Sequence, residues 1–427
     1  MSDAPLSAVV PRCLLGHATH PDPRLGLALA AAQIEAQRHS LADAGEPWQP
    51  TLCIVYLTEA CAPQAEALLD ELRARWPGTD WVGCAAWGVA ATGVEYLEEP
   101  ALVLLMTDLP RALYALFHGR APLEPGRWHS ALVHAAPGTP DLDELIQELA
   151  ERTRGNYLFG GLSSARNRAL HIADGVHEGG LSGVAFDAAV GLLSRVTQGC
   201  QPIGRARTIT RSQDNLVQEL DGAPALPQLL AELGVDLDAA PERALQALRH
   251  TLAGLTRADG RALDHPGQFG PDTEVRHLVG VEPTHGGVAL AEVVEPGTQL
   301  TFCRRDRSAA QRDLVRVATE LREALEPADL PEPTATTAAD PDGPAGGLPG
   351  QLPGAIFISC SGRGGPHFGG PSAELLTVQR ALGELPLAGF FAAGEIAFHH
   401  LYGYTGVLSV FHPGLDDDDD ASAGAAG

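Results

Sequence analysis

Residues Leu385 to Phe411 read LPLAGFFAAGEIAFHHLYGYTGVLSVF, and they rewrite an earlier stretch, Thr79 to Met106, TDWVGCAAWGVAATGVEYLEEPALVLLM. Both carry G-x-x-A-x-G, as Gly83, Ala86, Gly88 and as Gly389, Ala392, Gly394. Both then pass through a polar loop into an apolar run, Ala101–Met106 and Val407–Phe411. Each is preceded by a strand-like run, Leu52–Leu57 or Ala355–Ser359, that leads through a loop into a helix-like stretch. A weaker third version follows a second amphipathic helix: Asn156–Ala165, NYLFGGLSSA, places Gly160, Ser163 and Ala165 in the same frame. Gly179–Phe186 then opens a strand as GYTGVLSVF does at the other end. Repetition of a whole element order points to duplication, and paired modules often hold a site between them.

Around these copies the chain alternates strand and helix signals. Gly26–Arg38 and Gln64–Trp76 read as helices, the latter with Leu68, Leu69, Leu72 and Trp76 on one face. Ala189–Thr197 and Thr208–Thr210 read as strands, and Pro227–Leu255 as a helix broken at Pro241. Leu278–Val281, Val288–Val294 and Gln299–Cys303 read as an antiparallel meander, and Ser308–Leu325 as an amphipathic helix. Residues 326–354 are Pro, Ala, Gly, Thr and Asp with almost no large apolar side chain, the composition of a disordered insertion.

The 427 residues suffice for two domains. No apolar run nears the roughly 20 residues of a membrane span, and the N-terminus lacks a secretory pattern, so a soluble cytoplasmic protein is expected. A net charge of -25 repels nucleic-acid phosphates and anionic lipid. Part of that charge is the run Asp416–Asp420, which reads as a solvated tail. All 29 basic residues are arginine. Without a lysine amine the chain has neither Schiff-base chemistry nor covalently held pyridoxal phosphate, and a Walker A loop lacks its essential cation. Seven cysteines with no C-x-x-C spacing suggest reduced thiols. No Cys/His cluster has zinc-ligand spacing, so neither metal nor cofactor is expected.

Five further motifs fall in a telling order: VTQGCQPIG (Val196–Gly204), DNLVQELDGAPAL (Asp214–Leu226), FCRRD (Phe302–Asp306), SCSGRG (Ser359–Gly364) and PLAGFFAAGEI (Pro386–Ile396). In this order they resemble the FIST (F-box and intracellular signal transduction) family. The resemblance implies an N-terminal FIST domain over 25–225 and a C-terminal one over 226–413, with 414–427 as an acidic tail. It implies a bacterial sensory protein that binds a small ligand, an amino acid or related anionic metabolite, and passes the signal to a downstream protein. No F-box-like segment precedes the motifs, so a ubiquitin-ligase role is not carried over.

The candidate ligand residues come from these motifs. Gly389 and Gly394 would let backbone N–H groups approach a ligand. Glu395 could receive its amine, or instead pair with an arginine at a seam. Arg363, just past a strand end, could grip a carboxylate with two hydrogen bonds, or lie on a surface loop. Arg304, Arg305 and Asp306 form either a ligand clamp or a structural ion pair. Gln198 and Cys200 would line the pocket wall. Cys360 and Cys200 also carry the rival reading, a thiol-dependent enzyme, which needs a nearby base or cation to form thiolate. A protein-interaction scaffold is the third reading. The fold expected is α/β, or α+β, of duplicated mixed-sheet modules covered by helices and arranged as two pseudo-repeated lobes.

Overall fold

A computed structural model describes residues 9–256, 263–265, 268–269, 273–325 and 354–412. The insertion expected from 326 onward, up to residue 353, and the acidic tail lie outside the described residues. The chain is a mixed α/β protein with more strand than helix among the described residues. It divides into two compact units: Met1–Thr197 with Leu314–Leu401 and Gly406–Gly427, and Gln198–Asp313 with Tyr402–Thr405.

In the first unit the chain begins β1 (Cys13–Thr19), α1 (Pro23–Asp43), β2 (Leu52–Thr58), α2 (Ala65–Arg75), β3 (Asp80–Ala86), β4 (Gly88–Ala91), β5 (Val94–Leu97) and β6 (Ala101–Thr107). It continues with β7 (Tyr114–His118), β8 (Trp128–Ala135), α3 (Leu142–Glu151), β9 (Tyr157–Leu162), β10 (Leu170–Ala173), β11 (Val176–Glu178), β12 (Leu181–Asp187) and β13 (Gly191–Gln198). The second unit supplies β14 (Cys200–Pro202), β15 (Arg207–Gln213), β16 (Leu216–Leu220), β17 (Ala223–Pro224), α4 (Ala225–Leu233), α5 (Pro241–Arg249), β18 (Thr251–Thr256), β19 (Leu263–His265), β20 (Gln268–Phe269), β21 (Glu274–Glu282), β22 (Gly287–Leu290) and β23 (Gln299–Arg305). Then come α6 (Arg307–Leu325), β24 (Ala355–Cys360), α7 (Ala373–Leu382), β25 (Leu387–Ala392), β26 (Glu395–Phe398), β27 (His400–Tyr402) and β28 (Thr405–His412).

The repeated stretch generates three sheets of one design, ordered β1-β6-β2-β3-β10-β11, β7-β12-β8-β9-β26-β27 and β13-β28-β24-β25-β4-β5. In each, a βαβ crossover makes one parallel pair, β2–β3, β8–β9 or β24–β25. The closing strand, β6, β12 or β28, runs antiparallel on the far side of the first. Each module sends its hairpin to another module's sheet: β4 pairs with β25, β10 with β3 and β26 with β9. The exchange is cyclic, so no module can complete its sheet alone. The buried faces of α1 and α2 (Leu27, Ile34, Leu68, Leu72) share a core with Val55, Leu57 and Leu104 of the first sheet. Ile146 and Leu149 of α3 cover Val133 and Leu158 of the second.

The second unit is different. Strands β23-β15-β16-β22-β21-β18 form a ring that closes through β18–β23, a six-stranded antiparallel barrel. Ile209, Val217, Val288, Leu300 and Phe302 fill it, with Leu226 and Leu229 of α4. Closure removes the sheet's edges, which a small isolated sheet would expose.

Three sequence expectations change. The three copies all lie within one unit, and the second unit is built differently, so the architecture is not two pseudo-repeated lobes. The stretch expected as helix up to Leu255 turns into strand at Thr251, where Thr251, Leu252 and Ala253 lie buried between β21 and β23. The meander is a hairpin of β21 and β22 only, because β23 pairs with β14, β15 and β18 instead.

Candidate functional site

The first glycine of each copy sits inside a strand, not at its end. A Cβ at Gly83 would lie 1.7 Å from the Val55 carbonyl oxygen, at Gly160 1.9 Å from that of Val133, and at Gly389 2.0 Å from that of Phe357. Each faces its parallel partner in register. The repeated glycine is therefore required by close strand approach, and Gly389 is filled by protein on this side. Gly394 is buried, and its carbonyl accepts from Leu162 N–H at 2.8 Å. Glu395 is fully buried on β26 opposite Gly161.

Arg363 grips a carboxylate, and it is the protein's own. Its Nε donates to Glu374 Oε1 at 2.9 Å, its Nη2 lies 2.9 Å from the same oxygen, and Phe368 lies under the guanidinium. Ser359 Oγ donates to Glu374 Oε2 at 2.8 Å. The pair is 1% and 0% exposed. Burial raises the Glu374 carboxyl, opposed by the Arg363 charge. Beside it Glu95, on the hairpin donated by the first module, accepts the N–H groups of Gly365 (3.0 Å) and Glu374 (3.1 Å). Cys360 ends β24, and its carbonyl accepts from Arg363 N–H at 2.8 Å. Cys360, Arg363 and the turn 392–395 are thus neighbours, in a packed junction.

The other candidates belong to the second unit, where the β14–β23 ladder gathers them: Cys200 faces Arg305 and Gln201 faces Arg304. Asp306 Oδ1 accepts from Ala309 N–H at 2.7 Å, which makes it a cap of α6. Arg305 stacks on the Tyr404 ring at 3.8 Å, and the Tyr404 hydroxyl meets His277 Nε2. Gln198 N–H donates to Asp313 Oδ2 at 2.6 Å. All seven cysteines are buried free thiols. Burial pushes Cys13 up to about 12 and raises Cys53, Cys84 and Cys61. In Cys303 burial, aided by the neighbouring Cys200 thiol, acts the same way. These five thiols are held protonated, the opposite of what a nucleophile needs.

A cavity of about 290 Å³ opens at another junction of the first unit. The end of β2 supplies Thr58, Glu59 and Ala60, and the β3–β4 turn supplies Trp87. Glu98 and Glu99 come from the return to β6, and Arg166 and Asn167 from the connection into β10. The position is the carboxyl end of a parallel strand pair, where open α/β sheets place ligands. Trp87 is half-buried, and its Nε1 donates to Glu98 Oε1 at 3.2 Å. Glu98 has a left-handed backbone (φ 59°), unusual for a side chain of its size. Thr19 Oγ1 holds Glu99 Oε2 at 2.9 Å. Arg166 meets Glu59 twice, through its N–H at 2.9 Å and Nη2 at 2.8 Å, and lies 3.7 Å from Glu98. Its hydrogen bonds hold the Glu59 carboxyl below the usual range.

Arg166 is here because of an insertion. Val89 pairs with Phe390, Glu395 with Gly161 and His171 with Cys84, so these three residues occupy matching positions in the copies. Val89 and Glu395 follow the second glycine directly, whereas His171 comes five residues later than its frame predicts. The extra residues bulge out and carry Arg166 and Asn167 to the cavity. Gapless reading of the copies instead matches Arg166 with Val89 and Glu395. The signal that could have found the site was the adjacent acidic pair Glu98–Glu99 beside the one repeat of altered length.

Among the described residues no group of three or more His, Cys, Asp or Glu side chains is arranged to hold a metal, and no helix is long and apolar enough to cross a membrane. Residues 51–223 match the FIST N domain and residues 225–398 the FIST C domain. An uncharacterized protein of Mycobacterium tuberculosis is 32% identical over 417 residues, covering 93% of this chain and 98% of the relative. One of Mycobacterium bovis is 31% identical with the same coverage.

Proposed function

The chain belongs to the FIST family, and from that premise we propose that it is a sensory protein whose small-molecule site is the cavity beside Trp87. The observation that carries this reading is the contrast among equivalent strand ends. At the end of β24 a buried ion pair fills the junction, whereas at the end of β2 charged side chains surround an open cavity and a half-buried indole. A volume near 290 Å³ suits a small metabolite such as an amino acid. The ligand's ammonium would sit against Trp87 between Glu98 and Glu99, and Asn167 would serve its polar remainder. The carboxylates lining the cavity disfavour a purely anionic metabolite. Binding would reach a downstream protein by favouring one conformation over another, which requires different affinities for the two.

A thermal-shift and calorimetric screen of amino acids, amines and acidic metabolites tests the site. Binding that is lost in Trp87→Leu and Glu98→Gln supports it. Binding unchanged in both variants would remove the cavity from consideration.

A further inference from the structure

The cavity already contains a cation of its own. Arg166 is 62% exposed, yet its guanidinium is drawn to Glu59 and lies within 3.7 Å of Glu98. Three carboxylates, Glu59, Glu98 and Glu99, line the cavity together with that single positive charge. The loop that carries it is anchored independently one step further on. Arg168 donates to the Ala62 carbonyl at 2.9 Å and to Glu178 at 2.6 Å, and also pairs with Glu66. Release of the Arg166 side chain would therefore leave the loop attached. The indole of Trp87 is held in place by its own hydrogen bond to Glu98, and an indole face attracts organic cations.

Resting on the sensory reading above, we propose that the cavity selects small organic cations, ammonium or guanidinium compounds, and that Arg166 is a displaceable internal occupant. An incoming cation exchanges with the Arg166 side chain at Glu59 and Glu98. Displacement leaves Glu59, Glu98 and Glu99 facing the ligand, so the site favours net positive ligands over zwitterions of the same size. An occupant that must first leave lowers the apparent affinity by the fraction of time the site is open. Its removal therefore tightens binding.

The test is isothermal titration of the full-length protein with agmatine, putrescine, leucine and glutamate at two salt concentrations. The proteins are the wild type, Arg166→Gln and Glu59→Gln, each with its melting temperature checked. The expected result is that agmatine and putrescine bind, and bind less well at higher salt. Arg166→Gln tightens them by about tenfold, and Glu59→Gln weakens them. If leucine or glutamate binds the wild type better than the cations do, and Arg166→Gln abolishes that binding, cation selection is overturned while the sensory site stands. If the cations bind but Arg166→Gln weakens them, the displacement role is overturned. If neither cation binds any of the three proteins, the inference fails as a whole. The broader screen with Trp87→Leu then decides the parent reading on its own.

Discussion

Two arginine–glutamate pairs lie at corresponding strand ends of the first unit, and burial makes them different devices. At the end of β24, Arg363 and Glu374 are 1% and 0% exposed, with Ser359 on the second carboxylate oxygen and Phe368 against the guanidinium. At the end of β2, Arg166 and Glu59 are 62% and 16% exposed beside an open cavity. The hydrogen bonds are of similar length. In the first case, loss of one partner strands a charge in the protein interior. In the second, water takes its place. The first pair is a fixed part of the scaffold, and the second can exchange partners.

The largest effect should come from breaking the buried pair. Arg363→Ala is expected to cost roughly 3–5 kcal/mol, while the double substitution Arg363→Met with Glu374→Leu recovers most of the loss. All five tryptophans (48, 76, 81, 87 and 128) lie in the first unit, so fluorescence-detected urea unfolding reads that unit. A cost below about 1 kcal/mol would mean that the buried pair behaves like a surface one. Next comes the scaffold behind both junctions. Gly389→Ala places a Cβ 2.0 Å from the Phe357 carbonyl oxygen and should cost on the order of 1–3 kcal/mol in the same experiment. A neutral effect would show that the parallel strands can move apart.

The third test uses pH. Tyr56, His134 and Phe390 pack ring to ring where the three sheets meet, and His134 Nε2 contacts the Tyr56 hydroxyl at 3.2 Å. Burial, helped by His171, pushes His134 down to about 3. The unfolded chain takes up that proton below about pH 6.5 and the folded chain does not. This contribution is therefore fully present above pH 6.5. It falls by about 1.4 kcal/mol per pH unit below it, until the folded histidine itself titrates. Glu95 and Glu374, whose carboxyls burial raises, act in the opposite sense, so the measurement is a difference. Stability of His134→Asn should depend less steeply on pH between 6.5 and 4 than that of the wild type. Equal slopes would show that His134 is not held neutral. The smallest effect belongs to the open pair. Glu59→Gln should leave the urea midpoint within experimental error of the wild type, and a clear shift would make this pair structural too.

Much of the scaffold was legible because its signals are local. The strand runs, the helix α1, the buried face of α2, the amphipathic α6 and the three-copy element order follow from periodicity and glycine placement. The motif order also reached the family. The site was less legible. Gly389, Gly394, Glu395 and Arg363 stand out in the sequence because burial restricts them, and a restricted position looks the same whether a ligand or a neighbouring strand imposes the restriction. Glu59, Trp87 and Asn167 carry no pattern at all, since they come from three separate strand ends.

The sequence by itself determined that three modules of one kind exist, that lysine chemistry is absent and that the chain is strongly acidic. These are properties of composition and short-range order. Only the tertiary structure decided that the modules exchange hairpins in a cycle, that the middle of the chain closes into a barrel, and which arginine is buried. Strand partners and burial depend on contacts hundreds of residues apart, such as Val89 with Phe390. The same Arg–Glu chemistry becomes a scaffold or a site according to how much water those contacts exclude.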